Sequence, residues 1–435
     1  MQVYAVADAG GAAAVQSNHQ RGLRALAAEV GIGHVAQAFD PLHTARQASH
    51  AAFGVQLQIL AARAGSAPLK VWINGDKGWH GLAHACAAFE RDTGVAVQVE
   101  HPENAIAKFE QAAAAGKGPD VWIWPHDRLG SWASAGLIAP ITPSAATRAG
   151  IDDQAWSAWQ LKGSTWGFPL GMETVALLYN RKLVPTPPAT WDDVVALDRR
   201  LATQGKHAIR WWMTEVYYSW GLFAAGGGYA FARRPDGSYD GRDTGVATPG
   251  SIKAVEVMLD LVKRGALPRT VTYADAEAAI NQGEVAMTFH GPWGWGNLRK
   301  SGIDFGVAPY PRIGDHPGGS FVGVLGAMIS SASRQRELAH TFIEDYLLTL
   351  PSLRAIDADV PLGVPASKAL YAERSVDPLI AGSMAAVRAG VLMPSNPEMT
   401  RFWTAMQAAL QNIMQGREAV VPGLQRAAAR IVGGA

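Results

Sequence analysis

From Leu69 onward the chain alternates short apolar runs with amphipathic stretches, joined by links of only a few residues. Leu69-Lys70-Val71-Trp72-Ile73 reads as a buried strand. Gly81–Arg91 has helical spacing, with Leu82, Ala85, Cys86 and Phe89 on one face and Gly94 as its stop. Val95–Val99 is the next strand. Asn104–Ala115 is a helix with Ile106, Phe109 and Ala113 inward, Asp120–Trp124 a third strand and Arg128–Ala135 a third helix. Strand and helix alternating with short links predict an α/β fold, its sheet mostly parallel and covered by helices. Ligands of such sheets sit beyond the carboxyl ends of the strands. Asn74-Gly75-Asp76-Lys77-Gly78 and Pro125-His126-Asp127-Arg128 fall at those ends.

The middle of the chain adds strands at Trp166–Leu170, Val175–Tyr179, Val285–Phe289, Phe305–Ala308 and Val322–Ile329. Trp191–Thr203 is a helix opened by Thr190, with Asp192 and Asp193 in its first turn. Tyr217–Ala225, Pro249–Arg264 and Tyr273–Gln282 are further helices, and the first runs into Gly226-Gly227-Gly228, which fits a helix stop better than a dinucleotide loop. The C-terminal part is nearly all helix: Arg334–Leu347, Leu379–Ala389, Met399–Gln415 and Pro422–Ile431. With no internal repeat and no long linker after residue 67, the lobes must be built from interleaved segments.

Lys and Arg number 38 against 37 Asp and Glu, so the net charge of +1 gives no electrostatic case for nucleic acid. The single cysteine, Cys86, forbids an internal disulfide and reads as core on its apolar helical face. His80 and His84 have i,i+4 spacing, which could suit a metal, but such a pair is more often a solvated face; neither metal nor cofactor is expected. Phosphate-loop, H-E-x-x-H, G-x-S-x-G and S-x-x-K motifs are absent, and no catalytic residue is assigned. Residues 1–66 are rich in Ala, Gly, Gln and His and read as an extension or a misplaced signal, with an interrupted export-like stretch at 45–66.

Tryptophan is frequent, at 15 residues. A neutral polyol is held by carboxylates and by Lys or Arg, which hydrogen-bond its hydroxyls, while its C–H faces lie on flat aromatic rings. Asp76, Lys77, Asp127, Arg128, Glu173 and Glu215 supply the charges; Trp124, Tyr217, Tyr218, Trp293 and Trp403 supply rings beside turns or helix starts. Singly, each charge also fits a surface ion pair and each ring also fits a core.

Longer strings carry a resemblance. Val71-Trp72-Ile73-Asn74-Gly75-Asp76-Lys77-Gly78, Gly118-Pro119-Asp120, His126-Asp127-Arg128, Gly227-Gly228-Tyr229-Ala230-Phe231, Gly291-Pro292-Trp293, Phe321-Val322-Gly323-Val324-Leu325, Tyr346-Leu347-Leu348-Thr349, Pro361-Leu362-Gly363 and Phe402-Trp403 occur in order. With them residues 69–432 resemble the maltose/maltodextrin-binding proteins of ABC sugar importers. The resemblance implies a two-lobe periplasmic-binding-protein fold of type II, with mixed sheets flanked by helices and a hinge between the lobes. One lobe would be 67–171 plus 327–373, the other 176–321 plus 378–432. It further implies that Asp76 with Lys77, and Asp127 with Arg128, bind glucosyl hydroxyls from one lobe. Glu173 and Glu215 would bind from the other side. Tyr217, Trp293 and Trp403 would be stacking platforms with Trp124 beside them, and Tyr218 stands where the family has a different aromatic ring.

The departures bear on the ligand. Two adjacent acids of the family are Ile106 and Ala107 here, an arginine four residues beyond Trp403 is Gln407, Val216 replaces a proline, and Pro125 replaces a small residue. Each lost partner costs ~0.5–1.5 kcal/mol if neutral and ~1.5–3 if charged. The resemblance therefore implies a disaccharide, maltose or trehalose, with short maltodextrins, delivered to ABC permease subunits by a monomer. A glycoside hydrolase using Glu173 and Glu215 is the enzymatic rival, and a binder of an unrelated solute is the other. Cys86 lies too far along for a lipid tether, so a free periplasmic protein is expected.

Overall fold

The computed structural model describes residues 67–235 and 238–433; the extension, including the export-like stretch, lies outside them. The first half opens as the alternation requires: β1 (Leu69–Ile73), α1 (Ala83–Thr93), β2 (Val97–Glu100), α2 (Ala105–Ala114) and β3 (Val121–Pro125). β1 pairs in parallel with β2 and with β3, Leu69 opposite Val97 and Val71 opposite Val121.

The sheet then departs from an all-parallel one. β4 (Phe168–Thr174) and a long β9 (Phe321–Ser330) join it antiparallel, giving the order Val364–Pro365, β4, β9, β3, β1, β2. Two short strands, Ile138–Ala139 and Val391–Leu392, also pair with β9. β4 and β9 are buried along their whole length and show no in–out alternation, although β4 ends on Glu173 and Thr174, so only tertiary pairing fixes their direction. Only Val175 separates the end of β4 from β5 (Ala176–Asn180), which belongs to a second sheet. That sheet has the order β8 (Phe305–Ala308), β5, β7 (Val285–His290), β6 (His207–Ile209). The fold is α/β, with two mixed sheets flanked by helices and the chain passing between them: a two-lobe periplasmic-binding fold.

Local rules explain the helices. α3 (Trp191–Ala202) opens with a capping box in which Asp193 N–H donates to Thr190 Oγ1 at 3.2 Å and Thr190 N–H donates back to Asp193 Oδ2 at 3.0 Å. α4 (Val216–Ala225) is apolar on every side because it is buried all round, packed with α5 (Pro249–Lys263). It ends at Gly226, and Gly227 follows at φ +77°, the left-handed conformation that glycine adopts without strain.

Seven of the fifteen tryptophans are buried in the core at less than 2 % exposure: Trp122, Trp132, Trp156, Trp159, Trp211, Trp220 and Trp295. Trp122 stacks on Phe109 of α2 at 4.8 Å and on Trp124 at 5.1 Å. Residues two apart on a strand share a face, so β3 carries its buried indole and its outer one in one stack.

One reading holds and one is corrected. His80 and His84 are both exposed, the solvated face expected of them, although His80 precedes α1 and stacks on Trp79 at 3.5 Å while His84 Nδ1 lies 3.2 Å from Ser352 Oγ. Cys86 is half-buried, not core, and burial pushes its thiol up to about 12.

Candidate functional site

The turn after β1 holds Asp76 and Lys77, closed by Lys77 N–H donating to the Asn74 carbonyl at 3.1 Å. Gly78 is required there, since a Cβ would meet the Ile356 carbonyl at 2.6 Å. A 3-10 turn, His126–Arg128, directly after β3, presents Asp127 and Arg128. Both turns lie at the carboxyl ends of parallel neighbours, as the strand pattern requires. Glu173 comes from the end of β4, opposite Gly323 of β9.

From the second-sheet side, Glu215 caps α4. Its carboxylate accepts from the Tyr217 N–H at 3.5 Å and from Gln407 Nε2 at 3.3 Å. Tyr217 and Tyr218 occupy the first turn of α4. Trp293 stands in the turn after β7, its ring lying on Gly291 so closely that a Cβ there would be 2.1 Å from it. Trp403, Thr404 and Gln407 come from α7 (Met399–Met414), and the i,i+4 spacing puts Trp403 and Gln407 on one face.

These twelve residues, Asp76, Lys77, Trp124, Asp127, Arg128, Glu173, Glu215, Tyr217, Tyr218, Trp293, Trp403 and Gln407, border one cavity of about 460 Å³. Sequence reading assigned no role to four others on its wall: Asn74, Tyr273, Met393 and Thr404. Tyr273 opens α6 (Tyr273–Asn281) right after the cap Thr272, which was a usable signal. Nothing local marks Met393, which reaches the wall only because Val391–Leu392 pairs with β9. Ile106 and Pro125, two of the departures, also line it.

Rings and charges are interleaved. Tyr217 lies 6.3 Å from Trp293 at an interplanar angle of 24° and meets Trp403 edge-on at 6.2 Å. Lys77 Nζ donates to both oxygens of Glu173 at 2.8 Å and sits 4.6 Å from the centre of the Trp293 ring. Burial alone would lower the Lys77 pKa, but Glu173 and Asp76 overcome it and hold the ammonium above its ordinary value. Burial pushes Glu215 up to about 7, opposed by the Tyr217 N–H. It likewise pushes Asp127 up to about 6 against the pull of Arg128.

One donor is left over. Arg128 Nε is 3.9 Å from Asp127, and the Arg128 guanidinium is 4.0 Å from Glu110, so Nε has no hydrogen-bond partner. An unpaired buried donor is costly unless something fills the space before it. Donors, acceptors and flat apolar faces around one cavity suit a neutral polyhydroxylated solute. Tyr273 is an exception to this openness: its hydroxyl lies 3.0 Å from His290 Nε2, and His290 Nδ1 donates to the Gly291 carbonyl at 3.0 Å. His290 Nε2 is therefore the acceptor and the Tyr273 proton is already committed.

Fold and cavity together define a solute-binding protein. The sequence profile described as bacterial extracellular solute-binding protein matches residues 78–349, more than half of the chain, and the protein belongs to that family. It is a family of binding proteins, not of enzymes, that work outside the cell. Among the described residues no helix is long and apolar enough to cross a membrane. The chain is 27 % identical over 375 residues to the galactooligosaccharide-binding protein of Bacillus subtilis, covering 83 % of this chain and 87 % of that one. It is 28 % identical over 327 residues to the maltotriose-binding protein of Pyrococcus abyssi, covering 72 % and 69 % respectively. It is also 28 % identical over 355 residues to the maltodextrin-binding protein MdxE of Bacillus subtilis, covering 76 % and 81 %.

Proposed function

We propose that this protein captures an α-glucoside disaccharide, maltose or trehalose, and short maltodextrins in the periplasm, and delivers them by lobe closure to the permease of an ABC importer. The observation that carries this reading is the cavity itself. Asp76, Asp127, Glu173 and Glu215 offer acceptors, Lys77 and Arg128 offer donors, and Trp124, Tyr217, Trp293 and Trp403 offer rings. Relatives named for maltotriose and maltodextrin support an α-glucan, and the relative named for a galactooligosaccharide makes that sugar class the rival to test. A second cavity shares Asn74, Ile106, Trp124 and Arg128 with the first and runs on to Glu103 and Asn104. That continuation supports a chain longer than two sugars.

The lobes would be 67–171 plus 327–373 and 176–321 plus 378–432, which fits the passage from β4 to β5. A sugar that touches both lobes binds the closed form better, and that difference alone drives closure. A micromolar site corresponds to about 8.2 kcal/mol, ample to shift a hinge equilibrium. The role is capture without turnover, by a monomer. Glu173, one of the two acids a hydrolase would need, already has both oxygens engaged by Lys77.

Titration of tryptophan fluorescence and calorimetry with maltose, trehalose, maltotriose and a galacto-oligosaccharide test the reading. Saturable binding of a glucoside, with no glucose released on incubation, is the expected result. No response to any of them would overturn sugar binding, and tighter binding of the galacto-oligosaccharide would overturn the α-glucoside.

A further inference from the structure

His126 immediately precedes Asp127 and Arg128 but does not border the cavity; it is 1 % exposed. Its Nε2 lies 2.8 Å from the Met393 carbonyl, and the Val324 N–H donates to its Nδ1 at 3.0 Å. A carbonyl only accepts and an N–H only donates, so the ring is fixed as the neutral Nε2–H tautomer. Burial also pulls its pKa down to about 4, which keeps it neutral at ordinary pH.

The two partners belong to different parts of the wall. Val324 lies in the middle of β9, one residue beyond Gly323, which pairs with Glu173. Met393 borders the cavity and opens the segment that leads into α7, the helix of Trp403 and Gln407. The same seam continues with Gly130 N–H donating to the Ser395 carbonyl at 2.7 Å and Ser131 Oγ lying 3.3 Å from Thr400 Oγ1. The residues after His126 are thus zipped along residues 393–400, and His126 is the end of the zipper nearest the cavity. Binding groups hold their geometry only where a supporting layer fixes them to within about 0.5 Å.

We propose that His126 is a positioning residue for the cavity: it pins the turn of Asp127 and Arg128 to β9 on one side and to Met393 on the other, and so fixes where that charged pair stands at the cavity wall. This rests on reading the cavity as the ligand site.

The test compares His126→Phe, which fills the space without either hydrogen bond, with His126→Gln, which keeps a donor near the Nε2 position. In ligand-free protein, amide hydrogen exchange at residues 126–131 and 391–397 should quicken in His126→Phe and stay close to wild type in His126→Gln. Affinity for maltose, trehalose and maltotriose, measured well below the melting temperature, should fall about tenfold or more in His126→Phe, as expected for a displaced charged contact. It should recover to within about threefold in His126→Gln, the remaining loss being that of one neutral hydrogen bond. A role in stability alone would lower the melting temperature and leave these affinities unchanged, and that result overturns the proposal. So does wild-type exchange in both segments of His126→Phe. If wild-type protein binds none of the sugars, the ligand reading fails and the exchange measurement by itself decides the clamp. Should His126→Phe not fold, His126→Asn replaces it, since its shorter side chain accepts from Val324 without reaching Met393.

Discussion

Replacing Lys77 by methionine removes the ammonium and keeps most of the side-chain volume. In the wild type Nζ is 2.8 Å from each oxygen of Glu173, and the two side chains are 7 % and 4 % exposed. Breaking such a pair from one side strands the other charge and costs ~3–5 kcal/mol. Glu173 limits that cost by taking up a proton, because burial already favours its neutral form and Lys77 supplies the largest opposing pull. A carboxyl whose pKa is raised in the folded state adds stability below its unfolded pKa. That stability is lost as pH rises through the folded value. The Lys77→Met protein should therefore lose most stability relative to wild type above neutral pH and recover part of it towards pH 5. Lys77→Met with Glu173→Gln should be more stable than Lys77→Met alone and flatter with pH. Loss of a charged hydrogen bond to sugar, ~1.5–3 kcal/mol, should weaken binding about 10- to 150-fold. Thermal melts from pH 5 to 8, with sugar titrations of the same proteins, read both effects. A Lys77→Met protein that melts like wild type at every pH would refute the buried ion pair as a stabilising contact, and wild-type affinity would refute its place in the site.

Three further outcomes are expected. Trp403→Ala should weaken sugar binding by ~1–3 kcal/mol, the scale of a ring stacked on an aromatic face, and blunt the fluorescence response; unchanged capture would remove Trp403 from the site. Because burial raises Glu215 to about 7, ligand-free stability should fall as pH rises from the usual carboxylate range through 7, while sugar affinity increases as the acceptor ionises; Glu215→Gln should flatten both profiles in paired melts and titrations. Gly291→Ala puts a methyl 2.1 Å from the Trp293 ring, so the indole must swing away and affinity should drop about as far as in Trp293→Ala, measured by calorimetry on both variants.

The sequence determined everything whose cause is local. The alternation of strand and helix fixed β1 to β3 and α1 to α2, and strand ends marked the turns of Asp76, Lys77, Asp127 and Arg128. The Thr190 and Asp193 pair announced α3 because a capping box is complete within four residues. The motifs of the resemblance brought together the same charged and aromatic residues that line the cavity. What the sequence left open depends on partners far along the chain. β4 and β9 are buried on both faces, with no in–out alternation, so periodicity carries no information about their antiparallel pairing or about the antiparallel half of the sheet. Lys77 meets Glu173 across 96 residues, and His126 meets Met393 across 267. Tyr273 and Met393 became part of the wall only when α6 and the Val391–Leu392 strand docked. Local propensity acts within a turn or two of chain, whereas the positions of charges around a cavity are set by which distant surfaces pack together. Tertiary structure alone decided how the rings and charges are spaced.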